Sequence, residues 1–121
     1  MILDAGPLIS ANRNRRALAA LMVAALEAEE TLRTTEVVVS QVWRDSSQAN
    51  LAAALKAIEV HDSFGNGRHV GELMGRAGTS DPVDAHLVVL ARRTNEAVLT
   101  SDSDDFETLA NHSRVRVVAW P

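Results

Sequence analysis

Asp81-Pro82-Val83-Asp84-Ala85-His86-Leu87-Val88-Val89-Leu90-Ala91-Arg92-Arg93-Thr94, followed closely by Ala97-Val98-Leu99-Thr100-Ser101-Asp102, is the stretch whose reading decides the fold. Its first part predicts a helix over residues 81–94. Asp81 is a favoured N-cap type, and Pro82 suits the first helical turn, where a missing N–H leaves no bond unmade. Its second part predicts a strand over residues 97–100, with Asp102 two residues past the end. A helix that feeds an apolar strand, which then gives way to acid, is one unit of an alternating α/β chain.

The rest of the sequence repeats the alternation. Met1-Ile2-Leu3 reads as a short buried strand closed by Asp4, and Gly6-Pro7 as a turn, with Pro7 suited to a helix start. Residues 15–30 carry Leu18, Leu21, Met22, Ala25 and Leu26 at helical spacing. A second strand is expected over 31–35. Residues 36–44 stay ambiguous: the β-branched run favours strand, yet Val38, Val39, Val42 and Trp43 share a helical face. A helix over 47–57 has Leu51, Ala54, Leu55 and Ile58 in phase, and a third strand follows over 58–61. Phe64-Gly65-Asn66-Gly67 resembles a loose helix start, and 70–76 a helix that stops at Gly78. After the fourth strand come a short helix over 104–110 and a last strand over 115–119. Strands alternating with helices imply parallel pairing in a three-layer α/β fold, with about five strands flanked by helices.

The chain of 121 residues supports one domain, 1–121, without repeats or linkers. Its apolar fraction is 46%, and no apolar run approaches membrane-span length, so no membrane association is expected. The sequence enters a strand at once, so no signal peptide is read. With no cysteine, disulfides, thiolate zinc sites and cysteine nucleophiles are all excluded, which is compatible with a cytoplasmic protein. A net charge of −4 argues against gripping nucleic acid through overall charge, though not against a local basic patch. Of the 12 basic residues only Lys56 is a lysine, so phosphate contacts would come from arginine forks. Arg13, Arg15, Arg16, Arg44 and the pair Arg92-Arg93 are the candidates, with a solvated helix face as the default for each.

The acids carry the chemistry. In open α/β sheets ligands bind beyond the carboxyl ends of the strands. Asp4 closes the first strand, Asp102 follows the fourth, and Asp84 stands in the first turn of the helix leading into the fourth. Carboxylates converging there repel one another unless a cation sits among them, and Mg²⁺ or Mn²⁺ prefers such oxygen ligands. Capping is the competing reading. Asp81 is expected to cap its helix, Asp84 could complete a capping box, Asp102 or Ser103 could cap the last helix, and Asp104 and Asp105 suit its positive first turn. Three strand ends agreeing on acid are harder to attribute to caps alone. His61, His69, His86 and His112 lack zinc spacing, and His86 is expected to be a satisfied structural histidine. Trp43 is expected in the core or an interface. No nucleophile elbow, P-loop or dinucleotide fingerprint is present.

Four blocks together carry a family resemblance: Ile2-Leu3-Asp4-Ala5-Gly6, Val37-Val38-Val39-Ser40-Gln41-Val42-Trp43-Arg44, Gly78-Thr79-Ser80-Asp81-Pro82-Val83-Asp84-Ala85-His86, and Leu99-Thr100-Ser101-Asp102-Ser103-Asp104-Asp105-Phe106. In order and spacing they resemble PIN-domain ribonucleases, and among these the VapC toxins of bacterial toxin–antitoxin pairs. The resemblance implies a PIN-like parallel sheet flanked by helices and Mg²⁺- or Mn²⁺-dependent RNA cleavage by a metal-activated water. It also implies a homodimer and a small antitoxin whose tail covers an acidic pocket, in a bacterial cytoplasm. It assigns Asp4, Asp84 and Asp102 as metal ligands and catalytic residues, with Asp105 as a fourth contributor, and makes residues 36–44 helical. The sequence departs from the family at Gln41, where a glutamate usually precedes Val-Trp-Arg. An amide oxygen can still hold a metal-bound water, but it brings no charge and cannot act as a base. Glu36 is no substitute, since five residues turn a helix by about 500°. The alternative expectation is therefore a catalytically impaired PIN-like module that binds RNA or an antitoxin. Haloacid-dehalogenase chemistry would need a second aspartate where Gly6 stands, and a receiver domain a lysine after a late strand, whereas Lys56 precedes the third.

Overall fold

In the computed structural model, which describes residues 1–62, 66–79 and 81–120, five strands form one all-parallel sheet. They are β1 (Ile2–Leu3), β2 (Arg33–Thr35), β3 (Glu59–His61), β4 (Val98–Thr100) and β5 (Val117–Ala119), in the order β3-β2-β1-β4-β5. Seven helices connect them: α1 (Ala5–Arg13), α2 (Arg15–Glu27), α3 (Glu36–Val42), α4 (Ala49–Lys56), α5 (Gly67–Ala77), α6 (Pro82–Thr94) and α7 (Ser103–Asn111). The helix α1 packs on α2, α3 and α4, while α5, α6 and α7 pack on one another, giving the two outer layers of the sandwich. No helix among the described residues is long and apolar enough to cross a membrane.

The strand order positions the site. From β1 the chain steps outward to β2 and β3, then returns to the far side of β1 as β4. Between β1 and β4 the direction of winding reverses, and such a switch point opens a crevice at the carboxyl ends of the strands. Ile2 pairs with Val98 and Leu3 with Leu99, so Asp4 leaves the sheet level with Thr100. Ile2, Leu3 and Val98 are fully buried because helices cover both faces, which is why the strands are apolar runs rather than alternating ones. Leu8 of α1, Leu87 and Val88 of α6 and Phe106 of α7 complete the central core.

Several boundaries correct the sequence reading. Gly6 and Pro7 are not a turn: the chain enters α1 directly after Asp4. Pro7 is tolerated in that first turn because its N–H would have no helical acceptor there. Gly6 is required for close approach, since a Cβ at this position would lie 2.2 Å from Ser101 Oγ and 2.6 Å from Ser101 Cβ. The ambiguous run becomes α3, started by the Thr35 hydroxyl accepting from the Val38 N–H at 3.3 Å. Packing thus overrides β propensity. The second helix ends at Glu27 instead of residue 30, and α5 starts at Gly67 and ends on Gly78, whose φ of +72° suits a left-handed cap. Phe64 and Gly65 of the expected loose helix start lie outside the described residues.

Candidate active site

Asp4 occupies the N-cap position of α1, yet its carboxylate makes no cap bond. The Thr100 hydroxyl instead donates to Asp4 Oδ2 at 2.8 Å, and Thr100 Oγ1 accepts from the Asp102 N–H at 3.0 Å. One buried hydroxyl therefore ties the end of β1 to the segment after β4 across the switch point. Sequence reasoning missed Thr100. Its role depends on the β1–β4 register, which no local pattern reveals. Asp102 likewise holds an N-cap position without a side-chain cap bond, so its exposed carboxylate is not consumed in starting α7.

On α6 the division of labour is different. Asp81 is the cap: its Oδ1 accepts from the Val83 N–H at 3.0 Å and the Asp84 N–H at 3.3 Å. The expected capping box closes only halfway, because the Asp81 N–H donates to Thr79 Oγ1 at 3.4 Å and not to Asp84. Asp84 is half-buried, and its carboxyl is pushed up to about 7. Burial is the largest cause, followed by the charges of Asp81, Asp4 and Asp105 and a hydrogen bond shared with Asp81. The exposed Asp105, in the first turn of α7, is also raised, by its hydrogen bond to Asp102, the Asp102 charge, a small desolvation and the charges of Asp104 and Asp81. Four carboxylates assigned from sequence, Asp4, Asp84, Asp102 and Asp105, thus belong to one mutually repelling cluster, with Asp81 as a fifth member. The ion pairs of the described residues lie elsewhere, among Met1, Glu30, Arg33, Glu59, His61 and Glu96.

Among the described residues no group of three His, Asp or Glu side chains is arranged to ligate one ion. The donor set nevertheless fits a hard divalent cation. All its members are carboxylates, their repulsion is uncompensated, and Mg²⁺ is commonly held through only about one or two carboxylates plus water. Gln41 is exposed near the end of α3, its backbone carbonyl accepts from Arg44 at 3.0 Å, and its side chain makes no hydrogen bond among the described residues. Arg44 folds back onto the carbonyls of Ser40, Gln41 and Trp43, so its guanidinium caps α3. Trp43 packs partly buried against the core. His86 departs from expectation: it is 6% exposed on the buried face of α6, but its Nε2 has no hydrogen-bond partner among the described residues. Desolvation, then Arg93, lowers its pKa and keeps it neutral, with Asp62 opposing.

An α/β sheet with an acid cluster at its switch point can serve more than one chemistry, and comparison narrows the class. The PIN domain profile matches residues 1–111, from β1 through the last residue of α7. The chain belongs to the PIN domain family, a nuclease fold whose members generally use divalent metal ions and act on RNA or other nucleic acid. No curated protein matches the chain.

Proposed function

We propose that this protein is a ribonuclease that cleaves RNA phosphodiester bonds with Mg²⁺ or Mn²⁺, and that it serves as the VapC-like toxin of a toxin–antitoxin pair. A homodimer, a small antitoxin and a bacterial cytoplasmic setting belong to the same reading. The observation that carries the enzymatic part is the uncompensated cluster of Asp4, Asp84, Asp102 and Asp105 at the switch point of a PIN domain.

In this reading Asp4, Asp84 and Asp102 hold the ion and Asp105 contributes from the first turn of α7. When bound, the ion supplies an activated water and stabilises the charge that develops at the scissile phosphate. The chain's own part is orientation and charge. Thr100 fixes one oxygen of Asp4, while the Asp102 N–H fixes Thr100. Without a cation, the raised Asp84 carboxyl holds a proton near neutral pH, which lessens repulsion in the empty cluster. Purified protein should cut RNA with Mn²⁺ or Mg²⁺ and stop with EDTA or with Asp84→Asn. Cleavage that survives both would refute the mechanism.

Gln41 favours a second reading, a PIN module that binds RNA or an antitoxin with little cleavage. Its exposed amide stands where the resemblance implies a charged glutamate. If Gln41→Glu raises cleavage strongly, the scaffold is an enzyme with an altered site. If cleavage is absent from both forms while RNA still binds, the module reading stands.

A further inference from the structure

A cavity of about 810 Å³ opens between α5, α6 and the turn after α7. Arg76, Arg92 and Arg93 line it together with His69, and Glu72 is the acidic lining residue among those described. A second cavity of about 370 Å³ shares Arg92 and Ser113 with the first and adds Arg114 and Arg116. Its acid, Glu96, is already committed to the Met1 ammonium and to Arg33 Nε, the latter at 2.6 Å. These two adjoining cavities gather five arginines in a chain whose net charge is −4. None of the five enters an ion pair among the described residues; Arg93 is steadied by donating to Asn66 Oδ1. Arg114 even holds a left-handed backbone, φ +58°, where a residue without a Cβ would be less strained.

We propose that this arginine-lined groove is a second RNA contact, binding the phosphodiester backbone of the strand that continues away from the carboxylates. The proposal rests on the ribonuclease reading for the identity of the ligand. Guanidinium forks match phosphate oxygens in pairs, and a row of them tracks a backbone without reading its sequence. The groove is placed for that role. Arg76 lies near the end of α5, five residues before the Asp81 cap. Arg92 is eight residues beyond Asp84 on α6, about 12 Å along the axis. A strand cut at the cluster can therefore run on over Arg76 towards Arg92, Arg114 and Arg116. Membership of a family that acts on nucleic acid favours RNA over an acidic peptide.

The test is anisotropy of a fluorescein-labelled oligouridylate in EDTA, which keeps the strand intact, across a salt titration. The Arg76→Gln/Arg92→Gln double variant should bind at least about tenfold more weakly. Its log K against log salt slope should be shallower by about 1.4, the release expected for two contacts on a single strand. A control, Lys56→Gln, which lies outside both cavities, should leave both values unchanged, and urea unfolding should show both variants folded. An unchanged slope, an equal loss in the control, no RNA binding by the parent, or displacement of RNA by oligoglutamate at equal charge would overturn the proposal. The two readings fail separately. A parent that binds through these arginines but never cleaves refutes the ribonuclease and leaves the groove. A parent that cleaves while the double variant binds undiminished refutes the groove alone.

Discussion

Replacing Asp84 with asparagine should stabilise the metal-free protein at mildly alkaline pH while abolishing its metal response. In the folded state burial and the neighbouring Asp81, Asp4 and Asp105 hold the Asp84 carboxyl up to about 7, against 3.8 ordinarily. Between these values the folded chain binds more protons than the unfolded one, so stability falls as pH rises. Below about pH 4 both states are protonated and the penalty is absent; above about pH 7 it is fully developed. A shift of roughly three pKa units corresponds to at most about 4 kcal/mol. Asp84 is only half-buried, and solvent screening reduces this to about 1–2 kcal/mol. Asparagine keeps the shape, removes the charge and can donate an N–H to Asp81. In EDTA near pH 8 the variant should therefore unfold at a temperature about 4–8 °C higher than the parent, with the gap closing near pH 4. Mn²⁺ should raise the parent's midpoint and leave the variant's unchanged. Comparing the two proteins at each pH cancels the contribution of Glu96, which titrates in both. A variant less stable than the parent near pH 8, or one whose difference does not change with pH, would refute the electrostatic account of Asp84.

Thr100→Val removes the donor to Asp4 and leaves the Asp102 N–H without its acceptor; it should cost about 1–3 kcal/mol in urea unfolding. It should also weaken Mn²⁺ binding by about tenfold, whereas unchanged binding would show that Thr100 does not orient Asp4. Gly6→Ala should cost about 1–3 kcal/mol through contact with Ser101, and Ser101→Gly should restore much of that loss, measured as a double-mutant cycle. Additive effects would mean the close approach is not the cause. His86→Leu should raise the unfolding free energy by about 1 kcal/mol near neutral pH, because a buried unpartnered ring nitrogen disappears; a decrease of that size would show that Nε2 is satisfied.

What was legible in the sequence follows locality. Asp81 before Pro82 announced the start of α6, and the cap formed, because capping involves only the next few backbone N–H groups. The alternation of strands with helices, and hence the parallel sheet, follows from patterns within single segments. Thr100 was invisible because its partner Asp4 lies 96 residues away and meets it only through the β1–β4 pairing. Gly6-Pro7 misled for the same reason: a turn signal in isolation, it serves as a helix start whose glycine is demanded by Ser101. Asp102 resembled a cap in sequence and does hold the N-cap position, but its carboxylate makes no cap bond, and its own N–H donates to Thr100 Oγ1. Arg44 looked like a phosphate contact, but three nearby carbonyls claim it. The arginine groove was half legible: Arg92-Arg93 stood out as a pair, while Arg76, Arg114 and Arg116 join them only through the packing of α5 against α6 and the turn after α7.

The central claim is that the acids at the switch point form one divalent-cation site, and calorimetric titration of Mn²⁺ into the metal-free protein near neutral pH tests it most directly. The account predicts saturable binding accompanied by proton release from Asp84, with affinity lost in Asp4→Asn and in Asp102→Asn although both variants stay folded. Undiminished binding in those two variants, or no binding by the parent, would contradict it.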